Sequence, residues 1–164
     1  MDRCSPWIHA HLERARIGHH EVMGDAELSD SVVAFLSAGT RTGKVAFVAG
    51  DGRALVAPIW FLVEDGQLVF NTGADTAKGR ALVRDPRITL LVDDELPPYS
   101  FVQVQGTASL GQDPADLLDT ATRIAARYMG PDLAEKYGRR NAVPGELVVR
   151  IKPTKVIAAF DVAD

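Results

Sequence analysis

Short strands joined by tight glycine-containing turns are the sequence feature that most limits how this chain can fold. The pattern predicts strands over residues 44–49, 54–63 and 67–72. The triplets at 50–52 (Gly-Asp-Gly) and 64–66 (Glu-Asp-Gly) separate them and are typical of hairpin turns. Three strands connected in this way form an antiparallel meander, which needs further strands to protect its edges.

Three more strands are predicted over residues 87–92, 100–108 and 147–160, the last with a bend at Pro153. Six strands in hairpins indicate a mainly β protein whose antiparallel sheet closes into a barrel. The alternation of strands and helices that builds a parallel dinucleotide-binding sheet does not occur in this order of elements.

Helices are predicted at the periphery of this barrel. The clearest spans residues 114–128, where apolar residues recur at helical spacing. The other predicted helices cover residues 7–17, 29–37 and 76–83, and a looser, partly helical stretch covers 130–145. We therefore divide the chain into an N-terminal helix and linker (1–27, with the linker at 18–24) and a barrel domain (28–164).

Composition narrows the function classes. The 164 residues are 46% hydrophobic and carry a net charge of −4, which fits one globular domain and argues against a general nucleic-acid binder. The single cysteine, Cys4, cannot form an internal disulfide. Together with the lack of an apolar run of ~20 residues, this predicts a cytoplasmic protein that has no membrane partner.

Several familiar phosphate-binding and metal-binding motifs are incomplete in this sequence. Residues 39–45 resemble a phosphate-binding P-loop, but the glycines are one residue too close and Val45 replaces the magnesium-binding Ser or Thr. The acidic run at 93–95 is interpreted as a solvated loop. All the histidines lie near the N-terminus without metal-ligating spacing, at His9, His11, His19 and His20. We predict no metal site.

The stretch from Thr72 to Lys78 is the one candidate binding site. A predicted strand ends at Thr72, the chain turns at Gly73, and a predicted helix begins near Thr76. A helix N-terminus exposes unpaired amides and the positive end of the helix dipole, so it attracts anions. Two threonine hydroxyls and the Lys78 ammonium would suit a phosphate. On the residues alone, Thr76 as a simple helix cap and Lys78 as a solvated lysine remain alternatives.

This stretch resembles the phosphate-binding segment of the pyridoxamine-phosphate-oxidase-like split-barrel superfamily. In that superfamily an aromatic strand end with Thr precedes a helix start of the form Ser/Thr-x-Lys that holds the FMN phosphate. Residues 70–72 and 76–78 occupy those places. The strand at 55–61 resembles the one beneath the isoalloxazine ring, and residues 82–87 match the Leu-x-x-Asp-Pro-Arg run. The resemblance covers residues 28 to 160.

The resemblance implies a six-stranded antiparallel split β-barrel of the FMN-binding type, assembled as a homodimer with the cofactor at the subunit interface. Tyr99 and Phe101 would then reach the site from the partner subunit, and Tyr99 is the candidate proton donor. The cofactor contacts expected from the resemblance are Val56, Ala57, Pro58, Ile59, Trp60, Asn71, Thr72, Thr76, Ala77, Lys78, Tyr99 and Phe101. Trp60 would stack on the ring or belong to the core.

The choice of cofactor also follows from resemblance. Ala77 stands where FMN-using oxidases often carry Arg, and the C-terminal strand lacks the substrate-phosphate motif of vitamin B6 oxidases. Pro58 and Trp60 resemble a Pro-x-Trp strand of the subgroup that uses the deazaflavin F420. We expect an F420-dependent reductase that transfers a hydride to an electron-poor conjugated small molecule, with FMN as the alternative cofactor. A non-catalytic carrier of flavin, deazaflavin or haem is the alternative function.

Overall fold

The computed structural model describes residues 20–23 and 27–163. Within them, the strands are β1 (His20–Met23), β2 (Gly43–Val48), β3 (Ala54–Ile59), β4 (Leu62–Glu64), β5 (Gln67–Gly73), β6 (Arg87–Asp93), β7 (Phe101–Gly111) and β8 (Glu146–Ala159). The helices are α1 (Asp30–Ser37), α2 (Ala77–Arg84), α3 (Pro114–Met129) and α4 (Pro131–Asn141). None of the helices in these residues combines the length and apolar character needed to cross a membrane.

The strands form one antiparallel sheet in the order β3-β2-β6-β7-β8-β5-β4, and β1 pairs with β8 off this path. The two edge strands, β3 and β4, are joined directly through Trp60 and Phe61. So short a connection spans about 11 Å at most, which holds the two edges of the sheet together at this corner. The sheet is therefore a curled half-barrel that stays open between β3 and β4, as in a split barrel.

The prediction of six strands is corrected in two places. The strand expected over residues 54–63 divides at Trp60, because its first half pairs with β2 and its second half with β5. Residues 20–23, expected to be linker, form β1 instead. β5 pairs only with residues 146–151 of β8, which leaves residues 156–159 free to pair with β1. The predicted helix over residues 7–17 lies outside the described residues.

The long strand β8 changes register partway along β7. The shift lies between Gln105 and Gly106, which face Lys155 and Pro153, so Thr154 is left over as a bulge. A Cβ on Gly106 would lie 2.6 Å from the carbonyl oxygen of Lys152, so only glycine allows the strands to approach here. The predicted bend at Pro153 coincides with this shift.

Helices α3 and α4 form a hairpin that packs on the β5 and β8 side of the sheet. Asp113 caps α3 by accepting a hydrogen bond from the amide of Asp116, and Pro114 occupies the first turn. Asp116 in turn accepts two hydrogen bonds from Arg150 on β8, at 2.9 and 2.6 Å. The region expected to be loosely helical is thus an ordered helix, α4, whose C-terminal end lies near the start of β8.

Candidate functional site

A cleft of about 500 Å³ lies where β3 ends, β5 passes into α2, and the α3–α4 hairpin covers the sheet. Six of the residues expected to contact a cofactor line it together: Pro58, Ile59, Trp60, Asn71, Thr72 and Lys78. The polar residues that sequence reasoning missed are Thr42, Arg140, Asn141 and Glu146. The strand corner and the strand-to-helix junction therefore belong to one cavity.

The junction between β5 and α2 is fixed by its own hydrogen bonds. Thr76 is the N-cap of α2: its hydroxyl accepts from the Gly79 amide at 3.0 Å and donates to the Gly73 carbonyl at 2.8 Å. Thr72 is buried, lines the cleft, and its hydroxyl lies 3.2 Å from that of Thr76. Thr76 itself is exposed and does not line the cleft, so its hydroxyl serves to hold the junction together. Thr72 is the threonine that lines the cavity.

Close packing presses the start of α2 against the end of β5. A Cβ on Gly79 would lie 2.2 Å from the carbonyl oxygen of Gly73, so the helix approaches the strand end as only glycine permits. Among the described residues, none accepts a hydrogen bond from the amides of Ala77 or Lys78. These two first-turn amides remain as donors for an anion at the helix N-terminus.

Lys78 brings a positive charge to this junction. Its ammonium lies 5.6 Å from the centre of the Phe70 ring and lines the cleft. Burial lowers the pKa of Lys78, and the charge of Glu146 partly opposes this effect. No described carboxylate lies within 4.0 Å of the ammonium, since the ion pairs found among these residues do not include Lys78. The ammonium is thus available to an external anion.

Asn71 is the second residue of the cleft whose hydrogen-bonding groups have no partner among the described residues. Both polar atoms of its side chain are buried and have no hydrogen-bond partner among the described residues. A buried polar group without a partner costs roughly 1–3 kcal/mol, so such groups usually mark a missing ligand or water. The Asn71 amide supplies both a donor and an acceptor to a molecule bound in the cleft.

The corner at Trp60 is held rigidly by α3. The Trp60 ring stacks on Tyr128 with centroids 5.0 Å apart and planes 5° from parallel. The Tyr128 hydroxyl donates to the Arg41 carbonyl at 2.9 Å and accepts from the Phe61 amide at 3.3 Å. Burial raises the pKa of Tyr128, which keeps this phenol protonated. One face of the indole is therefore covered by the protein, and Trp60 still lines the cleft.

Glu146 is the unexpected member of the site. It is the first residue of β8 and pairs in register with Gly73, the last residue of β5. Burial raises the pKa of Glu146, and Asp75 raises it further, while Lys78 acts in the opposite direction. The cleft thus holds a carboxylate as well as an ammonium. No local pattern in the sequence signals this, because the placement depends on the register between two distant strands.

The remaining predicted contacts lie elsewhere. Val56 is 67% exposed on the outer face of β3, and Ala77 is exposed at the start of α2. Ala57, Tyr99 and Phe101 do not line the cleft of their own chain. Tyr99 is also exposed, with a φ of 58° in the loop before β7. A role for Tyr99 and Phe101 therefore requires a second subunit.

The acidic run at 93–95 and the P-loop-like segment at 39–45 form ion pairs with each other. Lys44 pairs with Asp93 and Arg41 pairs with Asp94, each at 2.6 Å. No group of three or more potential ligands suited to a metal ion occurs within the described part of the chain. The two segments thus join the start of β2 to the end of β6 through ion pairs.

A curled antiparallel half-barrel with helices at its periphery is the architecture of the split-barrel class. Within that class, the family model described as pyridoxamine 5'-phosphate oxidase matches residues 28–159. The chain belongs to the pyridoxamine 5'-phosphate oxidase family. No curated protein shows a significant sequence match.

Solved structures share this fold at low sequence identity. The conserved hypothetical protein Rv2991 from Mycobacterium tuberculosis is 24% identical, with a TM-score of 0.71, over 85% of this chain and 90% of its own. An F420 reductase is 22% identical, with a TM-score of 0.63, over 75% and 94%. General Stress Protein 26 from Bacillus anthracis is 20% identical, with a TM-score of 0.58, over 77% and 90%. These similarities establish the fold.

Proposed function

We propose that this protein is an oxidoreductase that binds coenzyme F420, or alternatively FMN, by the phosphate at the junction of β5 and α2. The observation that carries the proposal is the convergence of unpaired groups on one cleft. The Lys78 ammonium and the Asn71 amide line the cleft without partners among the described residues, and the free amides of Ala77 and Lys78 lie beside it in the first turn of α2. The Thr72 hydroxyl lines the cleft but donates its proton to Thr76, because the Thr76 proton already goes to Gly73. Membership of a flavin-binding family and the likeness to an F420 reductase support the choice of cofactor.

The ring system of the cofactor would lie beside the end of β3. Pro58, Ile59 and Trp60 line that end of the cleft, with Tyr128 behind the indole as a rigid support. The unsatisfied Asn71 amide fits a ring that carries both an N–H donor and carbonyl acceptors, as flavins and deazaflavins do. When bound in its reduced form, such a cofactor supplies a hydride to an electron-poor conjugated acceptor.

A homodimer is part of the proposal. Val48 and Val56 are 50% and 67% exposed on the neighbouring strands β2 and β3, and Tyr99 is 46% exposed. Apolar side chains left on a sheet in this way favour burial against another chain. A second copy would also bring its Tyr99 and Phe101 toward the cleft. Sedimentation equilibrium tests this directly, and a monomer at micromolar concentrations would contradict it.

A cofactor titration tests the binding claim. The purified protein is titrated with F420, with FMN, and with their phosphate-free chromophores, 8-hydroxy-5-deazariboflavin and riboflavin, while absorbance and fluorescence are followed. We expect saturable binding of a phosphate-bearing cofactor at least ~10-fold tighter than that of its phosphate-free chromophore. Failure of both F420 and FMN to saturate the protein would refute the proposal.

The carrier alternative is separated by a kinetic experiment. The bound cofactor is reduced, and its reoxidation by quinone and enone acceptors is compared with that of the free cofactor at equal concentration. An oxidoreductase accelerates the reaction because the site orients the acceptor and excludes water. Equal rates with every acceptor would favour a protein that stores or carries the cofactor.

A further inference from the structure

We infer that Glu146 makes the cleft selective for a phosphate group of single negative charge, such as a phosphodiester, over a doubly charged phosphate monoester. This inference rests on the proposed function. The phosphate of F420 is a diester that links two parts of the cofactor, whereas FMN ends in a monoester. Glu146 is thereby a specificity-determining residue that favours F420 over FMN.

The position of Glu146 places its carboxylate beside the anion site. It lies opposite Gly73 across the β5–β8 pair and lines the same cleft as Lys78. One oxygen of the carboxylate is 3.2 Å from the point where a Cβ on Gly73 would stand. The side chain therefore extends over the turn that leads into α2, whose amides are the expected phosphate donors.

The charged residues that line the cleft sum to one positive charge: Lys78 on α2 and Arg140 on α4 contribute two positive charges, and Glu146 on β8 contributes one negative charge. In the turn beside them, Asp75 acts on Glu146, and Arg80 donates to the Asp75 carbonyl oxygen. A site evolved for a dianion would keep its cations free of acidic neighbours, since each nearby carboxylate repels the added charge. Here only part of a dianion's charge would be compensated, while a monoanion meets the Lys78 ammonium and the helix amides.

The same geometry predicts a dependence on pH. A phosphate monoester gains its second negative charge near pH 6, whereas a diester keeps a single charge throughout. Burial raises the pKa of Glu146, so a dianion bound beside it would draw a proton onto this carboxylate. FMN binding should therefore weaken between about pH 5.5 and pH 8, and binding by the diester group of F420 should change much less.

The experiment compares Kd values for FMN and F420 in the wild type and in Glu146→Gln at pH 8. The repulsion between two unit charges about 7 Å apart, at an effective dielectric constant of about 40, lowers affinity by a factor of ~5 to 10. We expect the substitution to tighten FMN binding ~5- to 10-fold more than F420 binding and to flatten the pH dependence for FMN. Thermal melting confirms that the variant is folded.

Glu135→Gln is the matched control. Glu135 is exposed on α4, pairs with Arg139, and changes the net charge by the same amount when replaced. Its FMN-to-F420 ratio should stay within about twofold of the wild type. An equal effect of Glu146→Gln on both cofactors, or wild-type FMN binding tighter than F420 binding at pH 8, would overturn the inference while leaving the proposed function standing. Absence of binding of both cofactors to the wild type would instead overturn the proposed function.

Discussion

Replacing Arg127 with Met should destabilise the fold more than any surface change on α3. The guanidinium donates to three backbone carbonyls, of Leu36 at 2.7 Å, Phe61 at 2.8 Å and Gly39 at 3.0 Å. It also lies 4.8 Å from the centre of the Phe61 ring. The side chain is partly buried, and this burial lowers the pKa of Arg127. This one side chain ties α3 to the end of α1 and to the β3–β4 corner.

The magnitude follows from which carbonyls lose their partner. A hydrogen bond to a charged group contributes roughly 1.5–3 kcal/mol. Leu36 and Phe61 are fully buried, so water does not replace those two bonds, whereas Gly39 is exposed and loses little. We expect Arg127→Met to lower the free energy of unfolding by about 3–5 kcal/mol in urea denaturation at pH 7.

Two comparison variants sharpen this test. Tyr128→Phe removes two neutral hydrogen bonds but keeps the ring stacked on Trp60, so it should cost about 1–2 kcal/mol. Arg123→Met removes a half-exposed charge that pairs with Asp119 on α3 and with Glu64 on β4, and should cost about 1 kcal/mol. The reasoning is wrong if Arg127→Met is no more destabilising than Arg123→Met.

Two further variants test the junction and the α3–β8 contact. Gly79→Ala places a Cβ 2.2 Å from the Gly73 carbonyl oxygen and should cost about 2–3 kcal/mol and weaken cofactor binding, whereas Gly50→Ala meets only an ordinary contact at 3.6 Å and should do neither. Equal melting temperatures for both would count against the packing argument. Hydrogen bonds from Arg150 lower the pKa of Asp116, so the ionised carboxylate stabilises the fold by about 1–2 kcal/mol. This stabilisation is present above about pH 4 and is lost as the pH falls through the lowered pKa of Asp116. The gap in unfolding free energy between wild type and Asp116→Asn should therefore shrink in acid, and a gap that stays constant from about pH 7 to pH 2 would contradict this.

Local signals in the sequence were sufficient for most of the barrel. The turns at 50–52 and 64–66 join the strands that they were expected to join, because glycine and aspartate encode tight turns within a few residues. The junction at Thr72 to Lys78 was also predicted, since a strand end, a cap and a helix start are adjacent in sequence. Residues 114–128 form α3 as expected from their helical spacing.

The features that were missed depend on contacts between distant parts of the chain. Trp60 ends β3 because Tyr128 and Arg127 hold that corner from α3, and no local pattern encodes such a contact. Glu146 enters the cleft through its register with Gly73. The four residues of β1 carry too little alternation to predict a strand, and their partner edge on β8 is defined only by tertiary structure.

The central claim is that Lys78 holds the phosphate of the cofactor, and Lys78→Met tests it most directly. Methionine keeps the apolar stem near Phe70 and removes only the charge. Kd values are measured for F420 and for 8-hydroxy-5-deazariboflavin, which lacks the phosphate, with Lys152→Met as an exposed control. We predict roughly 10- to 100-fold weaker binding of F420 and unchanged binding of the phosphate-free chromophore. Equal effects on both ligands, or unchanged F420 affinity, would contradict the account.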